Sequence, residues 1–418
     1  ERSYSPASPR PNAFRPDTMN DTPVSPPLAS DGWLSAADCR VADLDRLVQT
    51  ETRLQDWPLA QAIERQVPVY DCAVLRAAQS ASAWPALWRA TLMAEWARVW
   101  DHGPGVLVLR GLYPDAAVVD AATVEFQALI ETSRLAGHAG DHFARPGAND
   151  RVWNALEKLC LRAPEVFAAY YGNPMLATAC EAWLGPAYQL TSQINCVNPG
   201  GAAQSAHRDY PLGFFTAAGA ERFPTHVHRL SPMLTLQGAV AHVDMPLESG
   251  PTLYLPHSQK YLPGYLVAGV PAFQDYFDRH HVQLALGRGD GIFFNPALMH
   301  AAGHNRSKEI RRLANLLQVA SAFGRSMEAV DRVRMAQALY PALRAAQSTG
   351  RLGPAERDAA LAACAEGYAF PTNLDRDPPL AGLAPKCQQD MMREALAAGV
   401  SPEDFAARLQ AQARTRLS

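Results

Sequence analysis

The sequence predicts an α+β fold in which antiparallel strands, arranged as a sandwich or barrel such as a jelly roll, are flanked by helices at both ends. Residues 186–320 contain many short apolar runs separated by Gly- and Pro-rich turns, which is typical of such a core. Helical periodicity dominates before and after this region. Of the 418 residues 48% are hydrophobic, so the chain can bury a large core.

The N-terminal third divides into a tail and a helical region. Residues 1–32 are rich in Pro and Ser and bury too little apolar surface to order, so a disordered tail is predicted. Met19 lies inside it, and a start there would make residues 1–18 upstream sequence. Residues 33–102 are predicted to be helical. Their three- and four-residue spacing of apolar side chains predicts a core stripe of Trp84, Leu87, Trp88 and Leu92.

Residues 103–325 are predicted to form the strand-rich domain, and 326–418 a helical C-terminal extension. "GVLVLRGL" (105–112) is typical of a buried strand, and a helix is expected from Pro114. The Gly-rich loop 137–150 has the length and composition of a lid. Further strands are predicted within five apolar runs: 188–197, 233–245, 251–258, 282–294 and 311–321.

Charge and cysteine content narrow the class of protein. The formal net charge of −3 argues against a nucleic-acid or membrane partner. The seven cysteines are odd in number, scattered and without a C-x-x-C pair, which suits a reducing cytoplasm. No membrane span or secretory segment appears. We therefore expect a cytoplasmic protein, with the helical flanks as candidate surfaces for a homo-oligomer.

The stretch "AAQSAHRDYPLGFF" (202–215) contains a triplet with two interpretations. His-Arg-Asp is the catalytic-loop triplet of protein kinases, but the kinase pattern requires Asn where this chain has Phe214, and the other kinase motifs are missing. On a strand, His207 and Asp209 would face one side and Arg208 the other. His-x-Asp is then half of a two-histidine, one-carboxylate site for non-haem Fe(II).

The third ligand is expected in "GRGDGIFFNPALMHAAGHNRSKEIRRLANLLQ" (287–318). His300 follows a predicted strand and a turn. Arg311 comes eleven residues later, at the head of the next strand, where a planar guanidinium could bind a dicarboxylate cosubstrate. Arg312 would face the other side of that strand and is the second candidate for this contact.

Together these motifs resemble the phytanoyl-CoA dioxygenase family of Fe(II)/2-oxoglutarate-dependent oxygenases. The matching stretches are His-x-Asp at 207–209, "DMPLESGPTLYLPHSQK" (244–260), Gly-Asp at 289–290 and H-x-x-G-x-N-x-S-x-x-x-R-R at 300–312. The resemblance covers roughly residues 103–325. It implies a cupin-like double-stranded β-helix, a small-molecule substrate and dioxygen as co-reactant.

The resemblance also implies roles for individual residues. The Fe(II) ligands and catalytic residues would be His207, Asp209 and His300. Contacts to 2-oxoglutarate would come from Arg311, Asn195, Gln237 and Ser307. The expected reaction is hydroxylation or desaturation, with decarboxylation of 2-oxoglutarate to succinate, because halogenating relatives lack the carboxylate that Asp209 provides.

Two other functions remain open. A cupin-like metal-dependent isomerase or lyase would need no carboxylate-binding Arg, and a non-catalytic iron or 2-oxoglutarate sensor would bind without turnover. The remaining histidines are weaker candidates. His226 and His228 would share a strand face, His280 and His281 would point opposite ways on a strand, and His242-x-Asp244 is a second His-x-Asp expected at a structural strand end.

Overall fold

The computed structural model describes residues 32–135, 147–380 and 382–418. The predicted tail therefore lies outside the described residues, apart from Gly32, and so does most of the predicted lid. The α-helices of the described residues are α1 Val41–Val48, α2 Cys72–Ala81, α3 Pro85–Asp101, α4 Ala116–Leu135, α5 Ala155–Arg162, α6 Pro164–Tyr171, α7 Pro174–Leu184, α8 Ala217–Glu221, α9 Thr225–Leu230, α10 Gly264–Val267, α11 Pro271–His280, α12 Arg332–Thr349, α13 Pro354–Cys364, α14 Gln388–Ala397 and α15 Pro402–Thr415.

The strands form two sheets. The larger has eight strands in the order β1-β2-β3-β9-β6-β11-β5-β4, and the smaller has three in the order β10-β7-β8. All neighbouring strands are antiparallel except the parallel pair β2 and β3. The strands are β1 Ala62–Glu64, β2 Val67–Asp71, β3 Val106–Arg110, β4 Asn149–Val152, β5 Gln189–Val197, β6 Thr235–Ala241, β7 Leu253–Tyr254, β8 Val282–Gln283, β9 Gly291–Phe294, β10 His300–Ala301 and β11 Arg312–Ala320.

Strand β11 shows how the large sheet separates a core from a cavity. Successive side chains of a strand point to opposite faces. Leu313, Leu317 and Val319 belong to the main hydrophobic core against the helices. The alternate residues line a cavity between the two sheets: Arg312, Ala314, Leu316 and Gln318.

Several local predictions are confirmed. The run 105–112 contains β3, the helix expected from Pro114 is α4, and each of the five later apolar runs contains a strand. The extension after residue 326 is helical as predicted, and at the start of its last helix the Ser401 hydroxyl accepts a hydrogen bond from the backbone N–H of Asp404 at 3.1 Å. A mixed helix and strand fold with a large sheet is thus established.

The region 33–102, which is predicted to be helical, differs from that prediction in two respects. Residues 62–71 form the hairpin of β1 and β2, and β2 extends the large sheet beside β3. The expected core stripe on α3 is wrong at its start, where Trp84 is 74% and Leu87 66% exposed. Helical spacing identifies a face, but the face is buried only where another element covers it; on α3 that begins at Leu92.

The C-terminal helices pack into the same core as the sheet. Met335, Leu339 and Leu343 of α12 are buried in one cluster with Leu190 and Ile194 of β5. Residues after 326 therefore contribute to the core that supports the sheet. None of the helices in the described ranges is both long enough and apolar enough to cross a lipid bilayer.

The buried carboxyl group of Glu328, beside the start of α5, is expected to make the stability of the protein depend on pH. One Glu328 oxygen accepts a hydrogen bond from the Asn154 backbone N–H at 2.7 Å, and the other has no hydrogen-bond partner among the described residues. Burial raises the pKa of Glu328 from 4.5 to about 7. Between these values the folded chain holds a proton that the unfolded chain releases, so the free energy of unfolding falls as the pH rises through this window.

Replacing Glu328 with Gln removes this ionisation and keeps the acceptor for Asn154. At pH 8 we expect Glu328→Gln to be more stable than wild type by about 1–3 kcal/mol, with no difference below about pH 5. Urea denaturation at both values measures this. Glu51→Gln, at an exposed position, is the control and should show no such dependence. Equal stability of Glu328→Gln and wild type at pH 8 would contradict the prediction.

Candidate active site

The structure brings His207, Asp209 and His300 together at one end of the small sheet. One ligand atom from each lies within 4.8 Å of the others, the sole such group of three found among the described residues. His207 and His300 form an isolated bridge, with N–H to carbonyl distances of 3.0 and 3.1 Å. Asp209 is held by its backbone N–H, which donates to the Pro296 carbonyl at 3.0 Å. The expected strand at 207–209 is thus reduced to a single bridging pair.

Each imidazole is oriented by a backbone carbonyl. Nδ1 of His207 lies 2.9 Å from the Ser205 oxygen, and Nδ1 of His300 lies 2.9 Å from the Leu298 oxygen. Because a carbonyl only accepts, each Nδ1 carries the hydrogen and each Nε2 keeps a lone pair. These Nε2 atoms lie 3.8 and 3.5 Å from the Asp209 carboxylate oxygens. Three electron-pair donors that face one another fit a divalent cation between them.

The protonation states agree with this donor set. Burial lowers the pKa of His207, and the neighbouring His300 lowers it further, which favours the neutral imidazole. Burial raises the pKa of Asp209, but contacts with His300, His207 and Gln237 lower it by more, so this pKa lies below its ordinary value. The Gln237 amide nitrogen donates directly to Asp209 Oδ2. The carboxylate is therefore ionised and fixed in place.

Arg208 faces away from this group, as the alternation of the motif predicts. Its guanidinium donates to the carbonyls of Ser258 and Tyr261 at 2.6 and 2.8 Å, and it lies 5.1 Å from the ring centre of Tyr265. The residue between the two candidate ligands thus anchors the 258–265 segment behind them.

The His-Asp-His group opens into a cavity of about 620 Å³ between the two sheets. β5, β6, β9 and β11 of the large sheet and β7 and β10 of the small sheet contribute side chains to its wall. Tyr254, Ile292 and Phe294 are apolar contributors from the strands, whereas Phe214 lines the cavity from a short 3-10 helix and Met327 from a loop. A cavity of this size is in the range of roughly 300–1,000 Å³ typical of sites for drug-sized ligands.

Only one of the two neighbouring arginines lines the cavity. Arg311 does not line the cavity: its Nε donates to Asn198 at 3.1 Å, and its side chain is 49% exposed near Asp150. Arg312 lines the cavity, and its NH1 donates only to the carbonyls of Ser249 and Gly303, at 3.2 and 3.3 Å. Burial lowers the pKa of Arg312 to about 10. It is a buried cation without a carboxylate partner among the described residues.

The other expected cosubstrate contacts are divided between the cavity and a turn. Asn195 lines the cavity, and its Oδ1 is buried without a hydrogen-bond partner in the part of the chain that the structure describes. Gln237 also lines it, and its amide nitrogen is used by Asp209. Ser307 does not line the cavity; its hydroxyl donates to Asn305 at 2.6 Å and accepts from the Ile310 N–H at 3.2 Å. Ser307 thus closes the turn before β11.

The remaining histidines are placed differently from expectation. His226 and His228 lie on helix α9, where His228 Nε2 contacts the Ala220 carbonyl at 3.0 Å. His280 ends helix α11. His242 is buried between the Thr123 and Tyr170 hydroxyls, at 2.7 and 2.8 Å. The strand assignments for the first two pairs are therefore wrong, because short polar runs carry little periodicity.

A two-histidine, one-carboxylate group in a cavity between antiparallel sheets is typical of the non-haem iron oxygenases as a class. A family model described as phytanoyl-CoA dioxygenase matches residues 102–313. This match spans half of the chain, and the chain belongs to the phytanoyl-CoA dioxygenase family. The family uses Fe(II) and 2-oxoglutarate.

Individual relatives share less than a third of their aligned residues with this chain. Dioxygenase andF from Emericella variicolor is 29% identical over 144 residues, which are 34% of this chain and 45% of that protein. The chain thus spans less than half the length of this curated relative. Two solved structures are also similar. SnoN, a non-heme alpha ketoglutarate dependent epimerase from nogalamycin biosynthesis, is 21% identical with a TM-score of 0.39, over 56% of this chain and 82% of its own.

The second structure is HygX from Streptomyces hygroscopicus with nickel and 2-oxoglutarate bound. It is 16% identical with a TM-score of 0.38, over 55% of this chain and 87% of its own. Similarity at this level carries no argument about the reaction or substrate of this chain.

Proposed function

We propose that this protein is an Fe(II)/2-oxoglutarate-dependent dioxygenase with a double-stranded β-helix core, which hydroxylates or desaturates a small-molecule metabolite. One observation carries the proposal: the buried Arg312 lines the same cavity as the His-Asp-His group. Arg312 differs from the buried Arg208 and Arg332, which are also bound by carbonyls, because it lines this cavity, where an anionic ligand can balance its charge. A dicarboxylate that reaches both the metal and Arg312 supplies that anion.

Each residue then has a defined task. His207, Asp209 and His300 hold Fe(II), with the Nδ1 contacts to carbonyls and the Gln237 amide fixing their orientation. Arg312 binds the far carboxylate of 2-oxoglutarate in place of Arg311, and Asn195 contributes an amide to the same molecule. Bound Fe(II) supplies the oxidising chemistry that couples dioxygen and 2-oxoglutarate decarboxylation to attack on a C–H bond. The apolar wall excludes water from this reaction.

The two alternatives explain less of the site. A cupin-like isomerase or lyase without 2-oxoglutarate leaves Arg312 buried with no counter-ion. A sensor that binds only iron and 2-oxoglutarate has no need for a cavity of about 620 Å³. The enzyme therefore accounts best for both the charge and the size of the cavity.

An anaerobic titration with Fe(II) and 2-oxoglutarate tests the proposal. Wild type should develop the visible metal-to-ligand charge-transfer band of chelated 2-oxoglutarate, and His207→Ala should lose it because one of three ligands is missing. His226→Ala, an exposed histidine on α9, is the matched control and should keep the band. Metal binding by wild type without any band would favour the isomerase or lyase.

A further inference from the structure

Two glutamines sit side by side on the cavity wall next to Asp209. Gln237 of β6 and Gln318 of β11 are direct partners in the antiparallel register, and both line the cavity. Side chains of directly opposed residues on one face lie about 4.5–5.5 Å apart at Cβ. The two amides thus form a single polar patch, which we call the glutamine pair.

The orientation of the Gln237 amide is fixed. Its nitrogen donates to the Asp209 carboxylate, which can only accept, so its Oε1 is the atom left for another partner. This oxygen is buried and has no hydrogen-bond partner among the described residues. The residue as a whole is 3% exposed. A buried acceptor without a donor costs about 1–3 kcal/mol, so the site is completed by a donor from a ligand.

Gln318 has the same need. Its Oε1 is buried without a hydrogen-bond partner within the described ranges. A third glutamine on this wall, Gln193, differs because the protein satisfies it: its Oε1 accepts from Arg151 at 3.0 Å, and its amide nitrogen lies 3.7 Å from the Met327 sulfur. Only the pair beside Asp209 therefore presents unused acceptors among these three.

The end of the cosubstrate that binds Arg312 lies away from Gln318. Arg312 and Gln318 are six residues apart on one strand, which corresponds to roughly 20 Å. The end-to-end length of 2-oxoglutarate is that of about two residues of extended backbone, roughly 7 Å. A cosubstrate that runs from the metal toward Arg312 leaves the Gln318 acceptor to the substrate.

We propose that the glutamine pair selects the substrate, by accepting hydrogen bonds from a hydroxyl or N–H group that lies beside the carbon to be oxidised. This inference rests on the proposed function, which places the carbon to be oxidised beside the metal. Phe214 and Met327 line the same cavity and contact the apolar remainder of the molecule. The substrate class is therefore an apolar small molecule with a donor group next to its reacting carbon.

A matched pair of probes tests this site without knowledge of the natural substrate. 2-Naphthol and its methyl ether differ in the donor hydrogen. Their binding to the anaerobic Fe(II)·2-oxoglutarate protein is measured by calorimetry. Wild type should bind the alcohol about three- to tenfold more tightly than the ether. In Gln318→Leu this ratio should fall toward one, because the leucine fills the space and accepts nothing.

The control variants distinguish the loss of a hydrogen bond from the loss of an apolar packing contact. Leu316→Ala removes an apolar contact two residues away on the same face, and should weaken both probes while keeping their ratio. Gln318→Asn, which keeps an amide, should retain part of the preference and serves if Gln318→Leu does not fold. Equal binding of the probes by wild type, or an unchanged ratio in folded Gln318→Leu, would overturn the proposal.

The charge-transfer band distinguishes this proposal from the one on which it rests. A band in wild type and Gln318→Leu alike, with no preference for the alcohol, would remove the glutamine pair as a selector and leave the oxygenase function intact. A preference for the alcohol without any band would keep the donor site and overturn the 2-oxoglutarate chemistry.

Discussion

Arg312→Ala is expected to lower the affinity for 2-oxoglutarate by about a hundredfold or more, whereas Arg311→Ala should change it less than about threefold. Truncating one partner of a buried, hydrogen-bonded charge pair costs about 2–5 kcal/mol. Arg312 is 6% exposed and lines the cavity. Arg311 contacts Asn198 and Asp150 from a half-exposed position, where an ion pair contributes at most about 1 kcal/mol.

The charge-transfer band measures both variants on one scale, as the 2-oxoglutarate concentration that gives half of the signal at saturating Fe(II). The adjacent arginines are matched in size and charge but not in burial, so the stability of each variant is measured beside its band. Arg312→Lys, which keeps the charge and loses the planar fork, should bind more weakly than wild type and better than Arg312→Ala. A larger loss in Arg311→Ala would show that Arg311 binds the cosubstrate.

The sequence alone could not decide between these arginines. Both start the run "RRLANLLQVA", and the faces that alternate along it are apolar on each side. A shift of one residue in register moves every side chain to the other face. Pairing with the neighbouring strands decides which alternate residues of β11 face the cavity. In this pairing Ala314 lies opposite Asn195 of β5 and Ala241 of β6. That information belongs to neighbouring strands and not to the run itself.

Local patterns predicted more than tertiary ones. The buried strand β3 and helix α4 were predictable because each depends on a few adjacent residues. The His-x-Asp spacing and His300 also identified a candidate group that the structure brings within 4.8 Å. The β1–β2 hairpin was not predicted, since its three- and five-residue strands are too short to show a period within a helical region.

The glutamine pair illustrates what cross-strand geometry adds. Gln237 was a weak candidate for the cosubstrate, and Gln318 was not a candidate at all. Eighty-one positions separate them along the chain, yet they are direct register partners. No one-dimensional signal in either strand marks this relation, because it arises only when β6 and β11 pair. The pairing places Gln318 beside Gln237, which itself binds Asp209.

A second large effect is expected far from the cavity, where Arg332 joins the C-terminal helices to the sheet. Arg332 opens α12 and is buried. Its guanidinium donates to the carbonyls of Ala363 and Cys364, at 2.9 and 3.3 Å, and of Leu190, at 2.5 Å. Ala363 and Cys364 end α13, where carbonyls have no donor within the helix. One side chain thus caps a C-terminal helix and ties it to β5.

Arg332→Met is therefore expected to lower the free energy of unfolding by about 3 kcal/mol or more, because three carbonyls lose a charged donor in a buried place. Urea denaturation measures this. Arg334→Met is the control, because Arg334 is exposed and lies in the same helical turn. It should change the free energy of unfolding by less than about 0.5 kcal/mol. Equal stability of the two variants would mean that water or other donors satisfy these carbonyls. A loss confined to Arg332→Met, accompanied by a weaker charge-transfer band, would show that the C-terminal helices support the strands that carry the site.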